Sequence, residues 1–293
     1  MSKTAQMIML LILLVLIWGL SWPTMSTALH YCPAAWFSTI RLVISAVVIF
    51  AAFGATGHLI LPAKKDIPLI ISIGFFQIGL FMMLITLGLT YVEPGRSAII
   101  AYLAPFFVTP IAVLFFGETL SKGKVAGLLL GAVGIILLFS PWELDWHNND
   151  ILLGNGLLLL SAIVWSGVML HTRYATWHRE SHTLLPWQFL VAIIPNLIAA
   201  VIMVPHPVIQ WHAPLFIFCL LYSAILAGCV AYWLTITITR YLPVTTTSLA
   251  LLAIPVAGLF ASAIFVGEVL TASILISLAF IIAGLACVSV AKG

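Results

Sequence analysis

The sequence predicts an all-α integral membrane protein of ten transmembrane helices, arranged as two inverted five-helix repeats, and three observations predict it. Of its 293 residues, 63% are hydrophobic and only 6% charged, against roughly one quarter charged in soluble domains. The apolar residues fall into ten runs, most of them near the ~20 residues that a hydrocarbon layer about 30 Å thick requires of a helix. These spans are 5–28, 33–55, 67–90, 95–116, 122–140, 151–172, 184–204, 213–240, 245–266 and 271–291. Finally, the stretch from Tyr91 to Gly134 recurs without a gap from Tyr241 to Gly284.

That recurrence pairs Pro105 with Pro255, Gly117-Glu118 with Gly267-Glu268, Leu120 with Leu270 and Ser121 with Thr271. A proline, a Gly-Glu pair and a hydroxyl residue holding one offset divide the chain into halves, 1–146 and 147–293. Runs this long are not the alternating ten-residue strands of a membrane barrel. Each must satisfy its backbone hydrogen bonds internally, as a helix.

Loop charges set the orientation. With the N-terminus in the cytoplasm, Lys3, Lys64, Lys65, Lys122, Lys124, Arg173, Arg179, Arg240 and Lys292 are cytoplasmic and only Arg96 is outside, a positive-inside bias. Five spans per half then put Glu118 and Glu268 on opposite faces, and both termini in the cytoplasm. The net charge of +3 reflects this bias and gives no sign of a nucleic-acid partner.

In the first span, Trp18-Gly19-Leu20-Ser21-Trp22-Pro23 predicts a bend near mid-membrane. Its 24-residue length favours an uncleaved helix over a signal peptide. Trp18 and Trp165 hold matching places in spans one and six, and each either fills space between helices or walls a cavity. Trp165 shares a helical face with Ser161, Met169 and Thr172.

Span two carries Arg41, eight residues past Pro33 and so about 12 Å deep at 1.5 Å per residue. An arginine at the bilayer centre costs about 2.5–3.5 kcal/mol on the lenient insertion scale. It either snorkels to carbonyls at a helix end or serves as a counter-charge to an anionic group. Span three supplies Gln77, an amide that must bond a neighbouring helix or a ligand. In span four, Tyr102, Pro105 and Thr109 share a face, and Pro105 frees a backbone carbonyl near the membrane centre. Helices interrupted at corresponding places in two halves mark a transporter's binding site.

At the joint after span four, Ser121 stands where a helix N-cap belongs, as Thr271 does 150 residues later, and Glu118 and Glu268 suit the positive ends of the helices that follow. Gly127, Gly131 and Gly134 give span five a small-residue face that packs inside the bundle or makes a homodimer. The loop 141–150 is polar and outside, and His178 and His182 belong to a solvated cytoplasmic loop. In span eight, Tyr232, Thr235 and Thr239 form a polar stripe that must face protein or water. Span nine repeats the face of span four through Pro255, with Leu252 in place of Tyr102. The scattered Cys32, Cys219, Cys229 and Cys287 fit neither a disulfide framework nor a metal site. No cofactor is expected, and no nucleophile or paired carboxylates at one depth suggest an enzyme.

Together, Trp18-Gly19, Arg41, Ala104-Pro105, Gly117-Glu118, Trp165, Ala231-Tyr232, Ile254-Pro255 and Gly267-Glu268 make the chain resemble a bacterial EamA-type member of the drug/metabolite transporter superfamily. The resemblance implies a ten-helix inner-membrane carrier whose partners are the bilayer and a small-molecule substrate. It also implies a central cavity lined by helices one, three, four, six, eight and nine. Similarity to the aromatic amino acid exporters of that superfamily implies cavity-lining places for Gln77, Tyr102 and Trp165. The chain departs from them at Gln77, where they carry tyrosine, and has Thr235-Ile236 where many relatives carry Trp-Asn.

The expected function is export or exchange of a small amphiphilic metabolite, an amino acid or a relative, by alternating access about hinges at Pro105 and Pro255. The expected substrate site comprises Trp18, Arg41, Gln77, Tyr102, Trp165, Tyr232 and Thr235. The alternatives are an exporter of cationic or aromatic drugs, or a non-transporting scaffold or pore. Because no Asp or Glu lies mid-span, transport without proton coupling is expected.

Overall fold

A computed structural model describes residues 3–119, 121–139, 147–239, 241–242 and 244–290. Leu120, Glu143, Asp145, Arg240 and Lys292, which entered the repeat and loop readings, lie outside the described residues, as does the predicted boundary at 146/147. Among the described residues every regular element is helical. Within those residues nine helices are long and apolar enough to cross a membrane, and the shorter apolar helix Ala253–Phe265 belongs to the remaining predicted span.

Spans one and two are single helices, Lys3–Ala28 and Ala34–Ala55. The first continues through Pro23, with the Ser21 and Thr24 hydroxyls donating to the Trp18 and Leu20 carbonyls. Spans five, six, seven and ten are Lys122–Phe139, Asn149–Tyr174, Leu185–Met203 and Ala272–Val290. The other four depart from the plain α-helix, and they do so in pairs. Span three is π-helical over Ile71–Leu80 and span eight over Tyr222–Val230, places that coincide at the repeat's offset. Span four divides into Pro94–Ala101 and Ala104–Phe116. Span nine divides into Val244–Leu251 and Ala253–Phe265.

Small residues and one amide hold the helices together, as lipid supplies no hydrophobic drive between them. Spans five and ten press backbone to backbone: a Cβ at Gly127 would lie 2.6 Å from the Gly284 carbonyl oxygen, and one at Gly134 would lie 2.7 Å from Ile281. The glycine face of span five is therefore occupied within the chain. Asn196 of span seven, fully buried, accepts from Ser38 of span two at 2.6 Å and donates to the Gly79 carbonyl of span three at 3.0 Å.

Two sequence expectations need correction. Thr271 caps span ten by accepting from the Ile274 N–H at 3.2 Å, but the buried Ser121 hydroxyl has no partner. Its joint is tied instead by Lys124, which reaches back to Glu118 and to the Thr119 carbonyl. Likewise, Glu268 does not serve the helix that follows it. It bonds the first turn of span four, in the other half of the chain.

Candidate functional site

The site begins at the two breaks. Span four stops at Tyr102 and resumes at Ala104, and span nine stops at Leu252, the residue paired with Tyr102 by the repeat. Pro105 sits in the first turn of the resumed helix, where proline is tolerated, but it offers no N–H to the Ala101 carbonyl four residues back. Pro255 does the same in span nine, and it is buried.

Around the breaks the aromatic residues form two groups. In one, Trp165 meets Tyr102 edge-on at 5.6 Å between ring centroids and Phe81 at 5.2 Å. In the other, Tyr232 meets Trp18 at 5.9 Å and Phe189 at 5.4 Å, both near-perpendicular. Such edge-to-face contacts are worth about 0.5–1.5 kcal/mol beyond area burial. The indole of Trp18 donates to the Ala227 carbonyl in the π-helical stretch of span eight at 3.1 Å, and Tyr222 donates to the Ile17 carbonyl at 3.0 Å.

Arg41 lies beside the first group. It is 5% exposed, so the snorkelling alternative does not describe it. Its Nη1 lies 2.9 Å from the Met25 sulfur and its Nη2 3.5 Å from the Met82 sulfur, and Nε has no partner. Met25 and Met82 belong to the same apolar cluster as Phe81, Tyr102 and Trp165. Met82 and Tyr232 are themselves related by the repeat's offset.

The remaining predicted residues are less closely tied. Gln77 is half-buried in the π-helical stretch of span three and makes no hydrogen bond among the described residues. Thr235 turns its hydroxyl onto the Ala231 carbonyl of its own helix. The structure thus brings Tyr102 to Trp165 and Trp18 to Tyr232, and sets Arg41 on Met25 and Met82.

A cavity of about 610 Å³, within the range of small-molecule sites, runs along span four from Glu118 to Pro105, and Pro105 is the one predicted residue among those that line it. Pro105, Thr109, Ala112 and Phe116 line one wall, and Glu118, Lys124 and Arg173 its mouth. Glu118 bonds Arg173 at 2.7 Å, Tyr174 at 2.6 Å and Lys124 at 3.2 Å. The Tyr174 hydroxyl, more than the two cations, holds its carboxyl below the usual range. At the opposite end of the same span, Glu268 is buried and accepts from the Gly95 and Arg96 N–H groups at 2.7 and 3.1 Å. Burial raises the Glu268 carboxyl, with those two N–H groups opposing and Glu93 adding to the rise. A second cavity of about 440 Å³, bordered by His58, His182 and Trp233, contains none of the predicted site residues.

The model of the EamA-like transporter family matches residues 5–140 and again 152–290. The chain belongs to the EamA-like transporter family. Among relatives, it is 27% identical over 281 residues to the uncharacterized transporter YvbV of Bacillus subtilis, covering 96% of this chain and 90% of that one. It is 25% identical over 290 residues to a probable amino-acid metabolite efflux pump of Salmonella typhimurium, covering 94% and 92%. A solved crystal structure superposes with a TM-score of 0.65 at 19% identity, over 97% of this chain and 96% of the other, a likeness of fold. This EamA-like chain is therefore a multi-pass membrane transporter built from two copies of one unit.

Several features escaped sequence reasoning. The π-helical stretches carry no distinct composition. Asn196 looked like any polar residue late in an apolar run, and the methionines around Arg41 lie 16 and 41 residues from it in sequence. The 150-residue offset, if extended back to pair Met82 with Tyr232, is the one sequence signal that could have drawn attention to Met82.

Proposed function

We propose that this EamA-like chain exports a small amphiphilic metabolite, an amino acid or a close relative, across the inner membrane by alternating access of two inverted halves. The observation that carries the reading is an asymmetry along span four. The equivalent carboxylates Glu268 and Glu118 lie at its opposite ends; one closes against the helix start, and the other lines a cavity that extends to Pro105, beside the break of span four. Rocking of the halves exchanges the two arrangements and moves the opening from one face to the other. With both termini cytoplasmic, as the loop charges favour, the open end faces the cytoplasm and is ready to load. The efflux-pump relative supports a metabolite as cargo, and the ring groups suit an apolar side chain. A cationic drug is a poorer fit, because Arg41 would repel it.

Purified protein in liposomes loaded with radiolabelled amino acids tests the reading. Efflux accelerated by unlabelled amino acid on the other side is the expected result. Efflux no faster than from empty liposomes across a panel of apolar, polar and charged amino acids would refute it.

A further inference from the structure

Arg41 is buried in span two, yet its guanidinium meets no carboxylate among the described residues. Among the described residues its only hydrogen-bond partners are two thioethers, weak acceptors for a group with five donors. Nε has no acceptor at all. Membrane arginines ordinarily pair with a carboxylate or with backbone carbonyls, and no described carboxylate bonds this one. The arrangement is costly as it stands, and a buried cation with an unfilled donor edge is matched by a ligand that brings the charge.

We infer that the Nε–Nη2 edge of Arg41 is the anchor for a substrate carboxylate, so the cargo class is a carboxylate with an apolar body rather than an amine as such. The inference rests on the transport reading above and narrows it. The geometry fits the two-oxygen group: Nε is free, and Nη2 has only the long 3.5 Å contact to Met82 to give up. A carboxylate accepts both parallel N–H bonds, the strong planar pairing that arginine makes and lysine does not. The 2.9 Å contact of Nη1 to Met25 stays in place and fixes the plane of the fork. Met82, the contact of Nη2, packs in the same cluster as the rings of Phe81, Tyr102 and Trp165. The apolar part of the cargo then lies against the rings while its charge is neutralised at Arg41. In the absence of cargo, the methionine sulfurs serve as soft placeholders that surrender their bonds at little cost.

The test uses the full chain in detergent and in liposomes with three probes that share one ring: phenylalanine, 3-phenylpropionate and phenethylamine. Binding is read as a rise in unfolding temperature, since a ligand that binds only the folded state stabilises it, and as counterflow. The wild type should bind phenylalanine and 3-phenylpropionate and not phenethylamine. Arg41→Gln should weaken both carboxylates at least tenfold. Arg41→Lys, which retains the charge and guards against a folding failure in the first variant, should weaken them by a similar factor because the fork is lost. If 3-phenylpropionate binds and phenylalanine does not, the amino acid reading fails while the anchor stands. The anchor is overturned if phenethylamine binds as well as the acids, if a folded Arg41→Lys binds the acids as tightly as wild type, or if the folded wild type binds neither acid.

Discussion

Glu268, just past span nine, accepts hydrogen bonds from the Gly95 and Arg96 N–H groups that open span four, at 2.7 and 3.1 Å. It thereby ties the end of one broken helix to the start of the other, across the two halves. A carboxylate at a helix N-terminus takes up orphan donors and meets the positive end of the dipole. Its counterpart Glu118 spends its oxygens on Arg173, Tyr174 and Lys124 instead.

Closure at the Glu268 end leaves no space at Gly95. A Cβ there would lie 2.7 and 2.9 Å from the two Glu268 oxygens and 2.6 Å from Leu259. Gly95→Ala should therefore weaken this closure by about 1–3 kcal/mol, the usual cost of overpacking. Gly156→Ala, where a Cβ meets nothing within 4 Å, is the control. Alkylation of a cysteine placed at the buried Leu259, in a background without native cysteines, should quicken in the first variant and not in the second.

The two carboxylates should respond oppositely to pH. Glu268 is raised when closed, so closure is favoured below the ordinary carboxylate value and is lost as pH rises through the raised one. Glu118 is lowered by its partners, so its network is present above the ordinary value and is lost as pH falls through the lowered one. Labelling at Leu259 should accordingly increase with pH, and Glu268→Gln should flatten the profile. An unchanged profile in that variant would assign the pH effect to another group.

The edge-to-face pair of Tyr102 and Trp165 predicts a loss of transport without a loss of protein. Trp165→Ala removes both ring contacts, and Tyr102→Phe removes only a hydroxyl that has no partner among the described residues. Transport should fall at least tenfold in the first and several-fold in the second, with membrane abundance within a factor of two of wild type. Parallel losses of abundance and transport would return both residues to packing.

Much of this was legible in the sequence, and what was not has physical causes. The spans followed from hydropathy, and the breaks at Tyr102 and Leu252 from the paired prolines, because a missing N–H acts locally. The ring groups were only partly foreseen: Trp18, Tyr102, Trp165 and Tyr232 were chosen for their chemistry, while Phe81 and Phe189 join them through tertiary packing. The same limit separates Glu268 from Gly95 and Arg41 from Met82, since helix-period patterns give a residue's face but not the neighbour it meets. Gln77, an amide in an apolar run, makes no hydrogen bond among the described residues, so its expected place in the site rests on its chemistry alone.

The orientation is open to a direct check. Reporter fusions after residues 146 and 178 should lie on opposite faces of the membrane, the first outside and the second in the cytoplasm. Agreement between the two would refute the ten-span topology with cytoplasmic termini.

The last prediction concerns the driving force. No Asp or Glu lies mid-span, and the buried acids among the described residues are at the ends: Asp66 beside span three, paired with Arg179 at 3.3 Å, and Glu268 beside span nine. Burial raises the Glu268 carboxyl, yet the group stays at one end of span four. A proton taken from that side returns to that side, so the titration tunes the gate without carrying charge across. Arg41, at depth, holds its proton throughout and moves none. Flux should therefore follow the gradient of the substrate, or exchange against another, with any electrical dependence set by the charge of the substrate itself. In liposomes with an imposed pH gradient and clamped potential, a substrate of constant charge should equilibrate without accumulating. Accumulation several-fold above equilibrium that persists in Glu268→Gln and disappears in Glu118→Gln would overturn this and make Glu118, at the cavity mouth, the proton carrier.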